Sequence, residues 1–467
     1  MTGQGFTPPK PRARDEHKLS WREYARRFRH DIFLAQPKRL YHAWMAEMRL
    51  PFFKSFLVND PALVRTVLTE RPDDFPKSEL VNASLRNLLG HSVFVTNGDL
   101  WKFQRRIIDP AFEGGKIRDS FEPIKDVAEA AVERIKTYDL SKPIEFEREA
   151  SLIAADIIFR TLFSIPITDK IATETYNAFR DYQRTQPILN LTSILRLPKL
   201  TPYLQSRANK RTAKRVRAHL EQLVTDRARQ IEKGTAPNDL ATKIMQLPDP
   251  ETGRCFSPSE MVDQVAIFFL AGHETSASAL AWALYLLAND KNAQTKVQKE
   301  ATGLKSFTFA SLSKLAFTRD VFRETLRLYA PVPMMVREAT KQETFRDRKV
   351  PKGSQIVLSS FYLGRHDRVW DNPDQFDPTR WQDAETKSAQ RDGYMPFSSG
   401  TRVCPGAGFA MIEGVVLLKT LVEAFDFSPT VQIPVPVAHL TLRAEDGIHL
   451  LVKTRDGSAN NPKRKSG

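Results

Sequence analysis

Two cysteines in 467 residues are too few for a disulfide scaffold and fit a reducing cytoplasm. Gly/Ser linkers, internal repeats and low-complexity breaks are absent between residues 20 and 455. A length that could hold three ordinary domains is therefore expected to fold as one, over residues 19–455. The amino end, Met1 to Lys10, has no apolar run and no signal-peptide core. No segment resembles a nucleic-acid module, although the formal charge of +15 suits nucleic acid, an acidic protein or simple solubility. Part of that surplus lies at Lys10 to Arg14 and Lys463 to Lys465, and residues 1–18 and 456–467 read as disordered basic tails. The apolar and charged fractions are those of a globular protein.

What is present is mostly helical spacing. Apolar residues recur with that period in Ser20 to Phe33, Asp126 to Tyr138, Glu149 to Leu162, Thr212 to Lys233 and Phe409 to Phe425. Short runs rich in β-formers occur at Phe53 to Val58, Ser354 to Ser359 and Gly447 to Lys453, so the expected class is mainly α with a small β-rich portion (α+β). Pro187 to Leu204, with three prolines among leucines, interrupts two helical stretches and reads as a mobile lid or a packed loop.

One helix should be much longer than the others. Ser257-Pro258-Ser259-Glu260 has capping-box spacing with proline at the first helical position, and the pattern continues to Ala288, about 45 Å at 1.5 Å per residue. Val265 to Leu270 and Ala277 to Leu287 are apolar on nearly all sides, as a helix through a protein interior requires. Gly272, His273, Glu274 and Thr275 break the run at its middle, which argues against a membrane span and demands a reason for polar residues there.

The densest signal is Phe397-Ser398-Ser399-Gly400-Thr401-Arg402-Val403-Cys404-Pro405-Gly406. A single cysteine stands between two glycines, directly before a largely apolar run from Ala407 to Phe425. A thiolate at a helix start is favoured by free N–H groups and the helix dipole, which predicts a lowered thiol pKa. Gly400 and Gly406, lacking Cβ, would let the chain turn and approach a flat ligand. Elsewhere, Glu324 and Arg327 lie three apart in an apolar segment and share a helix face, and Trp101 and Arg105 do so at four apart.

The Cys404 segment resembles the haem-ligand signature of the cytochromes P-450, Phe-x-x-Gly-x-Arg-x-Cys-x-Gly, at Phe397, Gly400, Arg402, Cys404 and Gly406. The other segments follow in the family's order, from about residue 98 to 413. The resemblance implies the cytochrome P-450 fold, with a long helix over a b-type haem (iron protoporphyrin IX) and Cys404 below as the metal ligand. A thiolate ligand pushes electron density onto iron and favours O–O cleavage. Phe397 would pack near the sulfur, and Arg402, Trp101, Arg105 and Arg337 would serve the haem propionates. Ala271 and Gly272 would open a groove over the haem for dioxygen. The acid-alcohol pair Glu274-Thr275 would be catalytic, Thr275 holding dioxygen and Glu274 relaying protons from solvent. His273 has no role in the pattern and reads as an outward or packing histidine. Glu324, Arg327 and Arg380 would form a buried structural network.

By the same likeness the chain would be a soluble, cytoplasmic, bacterial-type monooxygenase without a membrane anchor. It would insert one atom of dioxygen into a hydrophobic small molecule: a fatty acid, terpenoid, steroid or aromatic compound. The roughly sixty residues after Cys404 hold no flavin or iron–sulfur segment, so electrons are expected from a separate ferredoxin with its reductase, or from a flavoprotein. Such a donor would dock on a basic face that includes Lys102 and Arg106. By position, Phe268, Ala271, Val332, Met334, Leu440 and Phe94 are candidates for the pocket wall, each equally readable as core. The resemblance favours a lid for Pro187 to Leu204. A peroxide-driven enzyme of the same fold and a non-catalytic haem sensor or carrier remain alternatives, and the acid-alcohol pair speaks against both.

Overall fold

In a computed structural model of the chain, the structure describes residues 6–15, 19–49, 54–113, 115–185, 206–383 and 386–455. The fold is mainly helical with small sheets. Its axis is a central helix, Pro258–Asn289, of 32 residues. Ser257 caps it by accepting from the Glu260 N–H while Glu260 accepts from the Ser257 N–H, the reciprocal box that the sequence spells. Nearly every residue from Met261 to Leu270 and from Ala277 to Ala288 is buried, because helices Phe146–Phe163, Arg207–Glu232, Ala316–Leu328 and Ala407–Ala424 pack around it. Among the described residues no helix is long and apolar enough to cross a membrane.

A four-stranded mixed sheet flanks this bundle in the order Met45–Arg49, Lys54–Val58, Gln355–Leu358, Met335–Glu338. Lys54–Val58 pairs in parallel with Gln355–Leu358, and the outer two pairings are antiparallel. Close to the carboxyl end, strands Pro436–Ala438 and Leu442–Ala444 form a hairpin. The helices and strands expected from periodicity appear within a few residues of their anticipated ends. Helices that escaped that reading include Glu79–Leu89, Lys170–Thr185 and Lys291–Thr302.

The expected disorder of residues 1–18 is corrected for Phe6 to Asp15. The Phe6 carbonyl accepts from the Phe376 N–H at 2.9 Å and the Pro9 carbonyl from the Tyr329 hydroxyl at 2.8 Å. Lys10 pairs with Asp374. Proline-rich chain has little freedom to lose, and here it is held against the aromatic partners Tyr285, Tyr329 and Tyr41. The carboxyl-terminal tail and the Pro187 to Leu204 segment lie outside the described residues.

Glu324, Arg327 and Arg380 meet in the interior. Both Glu324 oxygens are occupied, by Arg327 at 2.8 and 2.7 Å, Arg380 at 2.9 Å, the Asp377 N–H at 3.0 Å and the Trp381 indole at 3.2 Å. Arg327 spends its remaining donors on the carbonyls of Gly364, Pro373 and Gln375. This complete satisfaction makes a buried charge network tolerable.

Candidate active site

The loop before helix Ala407–Ala424 closes on itself: the Cys404 N–H donates to the Phe397 carbonyl at 2.9 Å and the Val403 N–H to Gly400 at 3.2 Å. Gly400 has a φ of +67°, and a Cβ there would stand 2.1 Å from the Leu68 carbonyl oxygen. Its close approach is therefore to the turn Thr66–Glu70, not to a flat ligand, which corrects the expectation for that glycine. A Cβ at Gly406 would meet nothing nearer than the Cys404 Sγ at 3.9 Å. Phe397 is half-buried against the main core.

Cys404 is exposed, yet desolvation by its enclosing walls pushes its thiol above the ordinary value, against the pull of the Gly406 N–H and the Arg105 cation. The lowered pKa expected from a helix start is thus reversed. Burial outweighs the helix end, and a thiolate here needs a cation of its own.

Beside this loop stands a group of cations. Arg402 lies over the Trp101 ring at 4.4 Å and donates to Asn97 at 3.1 Å. Arg337, buried, reaches with its side chain only the Val336 carbonyl and the Met335 sulfur among the described residues. Lys77, which bridges to Arg337 through the backbone, donates to the Val93 carbonyl at 2.6 Å. The Nε atoms of Arg337 and Arg402 are buried without a partner among the described residues. Among the described residues none of the three makes an ion pair. Desolvation and then Arg402 push Arg337 down to about 10, and desolvation followed by Arg402, Arg337 and Arg105 pushes Lys77 well below its ordinary value. Arg105 departs from expectation: its guanidinium is committed to Asp109 at 2.8 Å and to the Val403 carbonyl at 2.7 Å, bracing the cysteine loop from outside. Lys77 was missed because nothing in Pro76-Lys77-Ser78 marks it; only the fold brings it to Arg402.

On the central helix, Ala271 is exposed in an otherwise buried span, and the Thr275 hydroxyl donates to the Ala271 carbonyl at 2.5 Å. Gly272 is corrected: a Cβ there would meet Ile158 Cδ1 at 2.3 Å, so its bareness admits helix Phe146–Phe163 rather than a groove. His273 is a packing histidine, bonded to Ser151 at 2.7 Å and pushed down to about 3 by burial and then by Arg443. Glu274 is buried and accepts from Thr441 at 2.9 Å, from Arg443 at 3.1 Å and from Gln183. Ser276 donates at 2.5 Å to Glu413, a buried carboxyl on the helix that follows Cys404. Burial pushes Glu413 up to about 8, so it is mostly protonated at neutral pH. This bond brings the Thr275 segment and the cysteine-bearing element together; sequence reading passed Glu413 over as part of an apolar run.

A cavity of about 940 Å³ lies on one flank of the central helix. Leu270, His273, Glu274 and Ala277 line it together with Met334 and Leu440 from the predicted wall. Phe94, Phe268, Ala271 and Val332, the other candidates for a pocket wall, do not line this cavity. Phe268 and Ala271 point off the cavity face because each step along a helix turns about 100°. Phe268 packs edge-on against Phe112, and the Val332 carbonyl is taken by the Ser360 hydroxyl. Phe94 is 40% exposed at the surface. Arg106, expected on a docking face, is paired with Asp249 and Glu251, while Lys102 is exposed.

Comparison with known proteins is consistent with these elements. A family profile described as "Cytochrome P450" matches residues 37–451. The chain is similar to cyclooctat-9-en-7-ol 5-monooxygenase of Streptomyces melanosporofaciens, 30% identical over 396 residues and 83% of each chain. It is also similar to the taurochenodeoxycholic 6 alpha-hydroxylase of Sus scrofa, 28% identical over 84% of this chain and 81% of that one. A third relative, cytochrome P450 4A11 of Homo sapiens, is 27% identical over 88% of this chain and 80% of that one.

Proposed function

Because the chain belongs to the cytochrome P450 family and is a monooxygenase of that family, we propose that it oxygenates a hydrophobic small molecule at a haem held by Cys404. The residues fit the group. The observation that carries the reading is the set Lys77, Arg337 and Arg402, three enclosed cations with no ion-pair partner among the described residues, beside a thiol that needs a cation. The two carboxylates at one edge of a haem would satisfy the cations, and its iron would satisfy the sulfur. When bound, the haem supplies the dioxygen-activating chemistry.

The chain's own side chains divide the remaining work. Trp101 stacks on Arg402 and keeps it turned inward. Thr275 spends its proton on the Ala271 carbonyl, so its oxygen is left to accept a hydrogen bond from a water or another donor at that face. Glu274 is the group that would bring protons in, and the Ser276 to Glu413 bond ties Thr275's helix to the helix that follows Cys404. The apolar wall of the cavity, including Leu57, Leu85, Met334 and Leu440, suits a terpenoid, steroid, fatty acid or aromatic substrate and keeps water away from the oxidant. The relatives named for cyclooctat-9-en-7-ol and for a taurochenodeoxycholic compound favour bulky alicyclic skeletons among these. Electrons come from separate proteins, a ferredoxin with its reductase as the first candidate. The catalytic unit is a single domain over residues 19–455, with Phe6 to Asp15 packed against it.

The test is spectral. The reduced, haem-loaded protein is exposed to carbon monoxide, and the ferric form is titrated with a library of the four substrate classes. A strongly red-shifted Soret band that disappears in Cys404→Ala, and a low-to-high-spin shift with one class, are the expected results. A Soret band of the kind given by nitrogen ligands would end the proposal. Turnover faster with peroxide than with any electron donor would replace it by a peroxygenase.

A further inference from the structure

Helix Lys170–Thr185 turns one face to the cavity: Tyr176, Arg180 and Gln183 recur at spacings of four and three, and all line it. Its solvent side is carried by Thr173, Glu174 and Asn177, all exposed. A cation on the inward face of a helix that has an outward one needs a reason. Arg180 has no local one. Its guanidinium lies over the Tyr176 ring at 5.7 Å, and among the described residues it makes no ion pair and no hydrogen bond. The acids near it are spent elsewhere, Asp181 on Arg215 and Arg184, and Glu274 on Thr441, Arg443 and Gln183. The polar groups around it are uncharged. Ser151 meets the Tyr176 hydroxyl at 3.1 Å and the His273 ring at 2.7 Å. His273 is pushed down to about 3 by burial, then by Arg443 and Arg180, so the charges that act on it most are both positive. Glu147, another carboxyl of the lining, is raised by burial to about 7, half protonated at neutral pH, and it is Arg443 that draws on it. Glu145, Arg148 and Asp446 are exposed and give the rim both signs.

An enclosed cation without a counter-charge is costly, and a guanidinium offers parallel N–H donors that fit the two oxygens of a carboxylate. We propose that Arg180 is the specificity-determining residue of this cavity and receives the carboxylate of the substrate, whose hydrocarbon body lies against Leu57, Leu85, Met334 and Leu440. The substrate is then an amphipathic carboxylic acid, its skeleton a chain or fused rings. The position of the anchor also says where such a molecule is oxygenated. Arg180 acts on the face of the central helix that carries His273, and two steps of about 100° separate that face from the one that carries Thr275. The carbon that reacts is therefore remote from the acid group. The chemistry rests on the monooxygenase reading; the binding does not.

The experiment uses the haem-loaded full chain and matched pairs of ligands, dodecanoic acid with dodecanol, and deoxycholic acid with its methyl ester. Binding is read by the low-to-high-spin shift of the ferric form and, independently of the iron, by titration calorimetry. In the parent each acid should bind at least about tenfold more tightly than its neutral partner, as one charge-assisted contact allows. Arg180→Gln should bring that preference to within about twofold by weakening the acids, with the alcohol and the ester moving less than about twofold. Arg180→Lys keeps the charge but not the fork and should fall between. Arg148→Gln, at the exposed rim, should keep the preference. The melting temperature of Arg180→Gln should be unchanged or higher, because no partner among the described residues is lost. A parent without a preference for the acids, including one that binds neither member of either pair, overturns the assignment. So does a preference that survives Arg180→Gln or vanishes in Arg148→Gln. Equal weakening of acid and neutral partner in Arg180→Gln, the mark of a merely structural arginine, overturns it as well. If the sulfur-type carbon monoxide spectrum is missing while calorimetry shows the Arg180-dependent preference, the monooxygenase reading falls and the carboxylate anchor stands.

Discussion

Replacing Glu324 by Gln changes one oxygen to an amide nitrogen and removes one charge, with almost no change in volume. In the parent both oxygens accept from cations: Oε1 from Arg327 at 2.7 Å and Arg380 at 2.9 Å, Oε2 from Arg327 at 2.8 Å. Gln presents an NH2 group to one of these guanidinium groups, donor against donor. Arg327, with a fully buried side chain, and Arg380, 6% exposed, lose their shared counter-charge. Breaking a buried pair by removing one partner costs about 3–5 kcal/mol, a large share of the ~5–15 kcal/mol that holds a typical domain. An exposed pair would cost about 0–1 kcal/mol. Urea unfolding of parent and Glu324→Gln, followed by far-UV circular dichroism and haem absorbance together, measures the difference as a shift in midpoint at equal slope. A shift worth less than about 1 kcal/mol would refute the reasoning, because it would put the network in the class of surface ion pairs. The acid limb gives a second check. Burial alone would raise the Glu324 carboxyl, but Arg327 and Arg380 hold it below its ordinary 4.5. Its contribution is therefore present above about pH 4.5 and lost as pH falls below that, and Glu324→Gln should lack this component.

Gly272→Ala should destabilise, because its Cβ would stand 2.3 Å from Ile158 Cδ1. The overpacking cost of about 1–3 kcal/mol exceeds the gain of about 1 kcal/mol in helix propensity. Ile158→Val removes that Cδ1, so the double variant should recover most of the lost melting temperature. Glu413→Gln should abolish a pH dependence of stability. The buried Glu413 is raised to about 8, so the parent keeps the full contribution below about pH 4.5 and loses it as pH rises through about 8, on the order of a few kcal/mol in all. Melting curves of Glu413→Gln from pH 5 to 9 should lack this alkaline decline.

Features written locally were legible. The capping box at Ser257 and Glu260, the length of the central helix and the Phe397 to Gly406 signature each lie within one stretch of chain, where spacing carries the geometry. Lys77, Arg443 and Glu413 were not legible, since each acquires its meaning from an element far away in sequence: Arg402, Glu274 and Ser276 respectively. Gly272 shows a different limit. A glycine amid polar residues reads the same whether it clears room for a ligand or for a crossing helix, and only Ile158 decides. The proline-rich amino end looked unstructured because its order comes from Tyr329 and Phe376, which lie more than three hundred residues downstream.

Burial pushes Lys77, Arg337 and Arg402 down, and the Arg402 cation adds to that push on the other two, so folding gathers like charges that repel. A bound dianion removes that penalty, and whatever binds only the native state stabilises it by mass action. The abundance of this enzyme in a cell should therefore track porphyrin and iron supply, with starved cells degrading the polypeptide soon after synthesis.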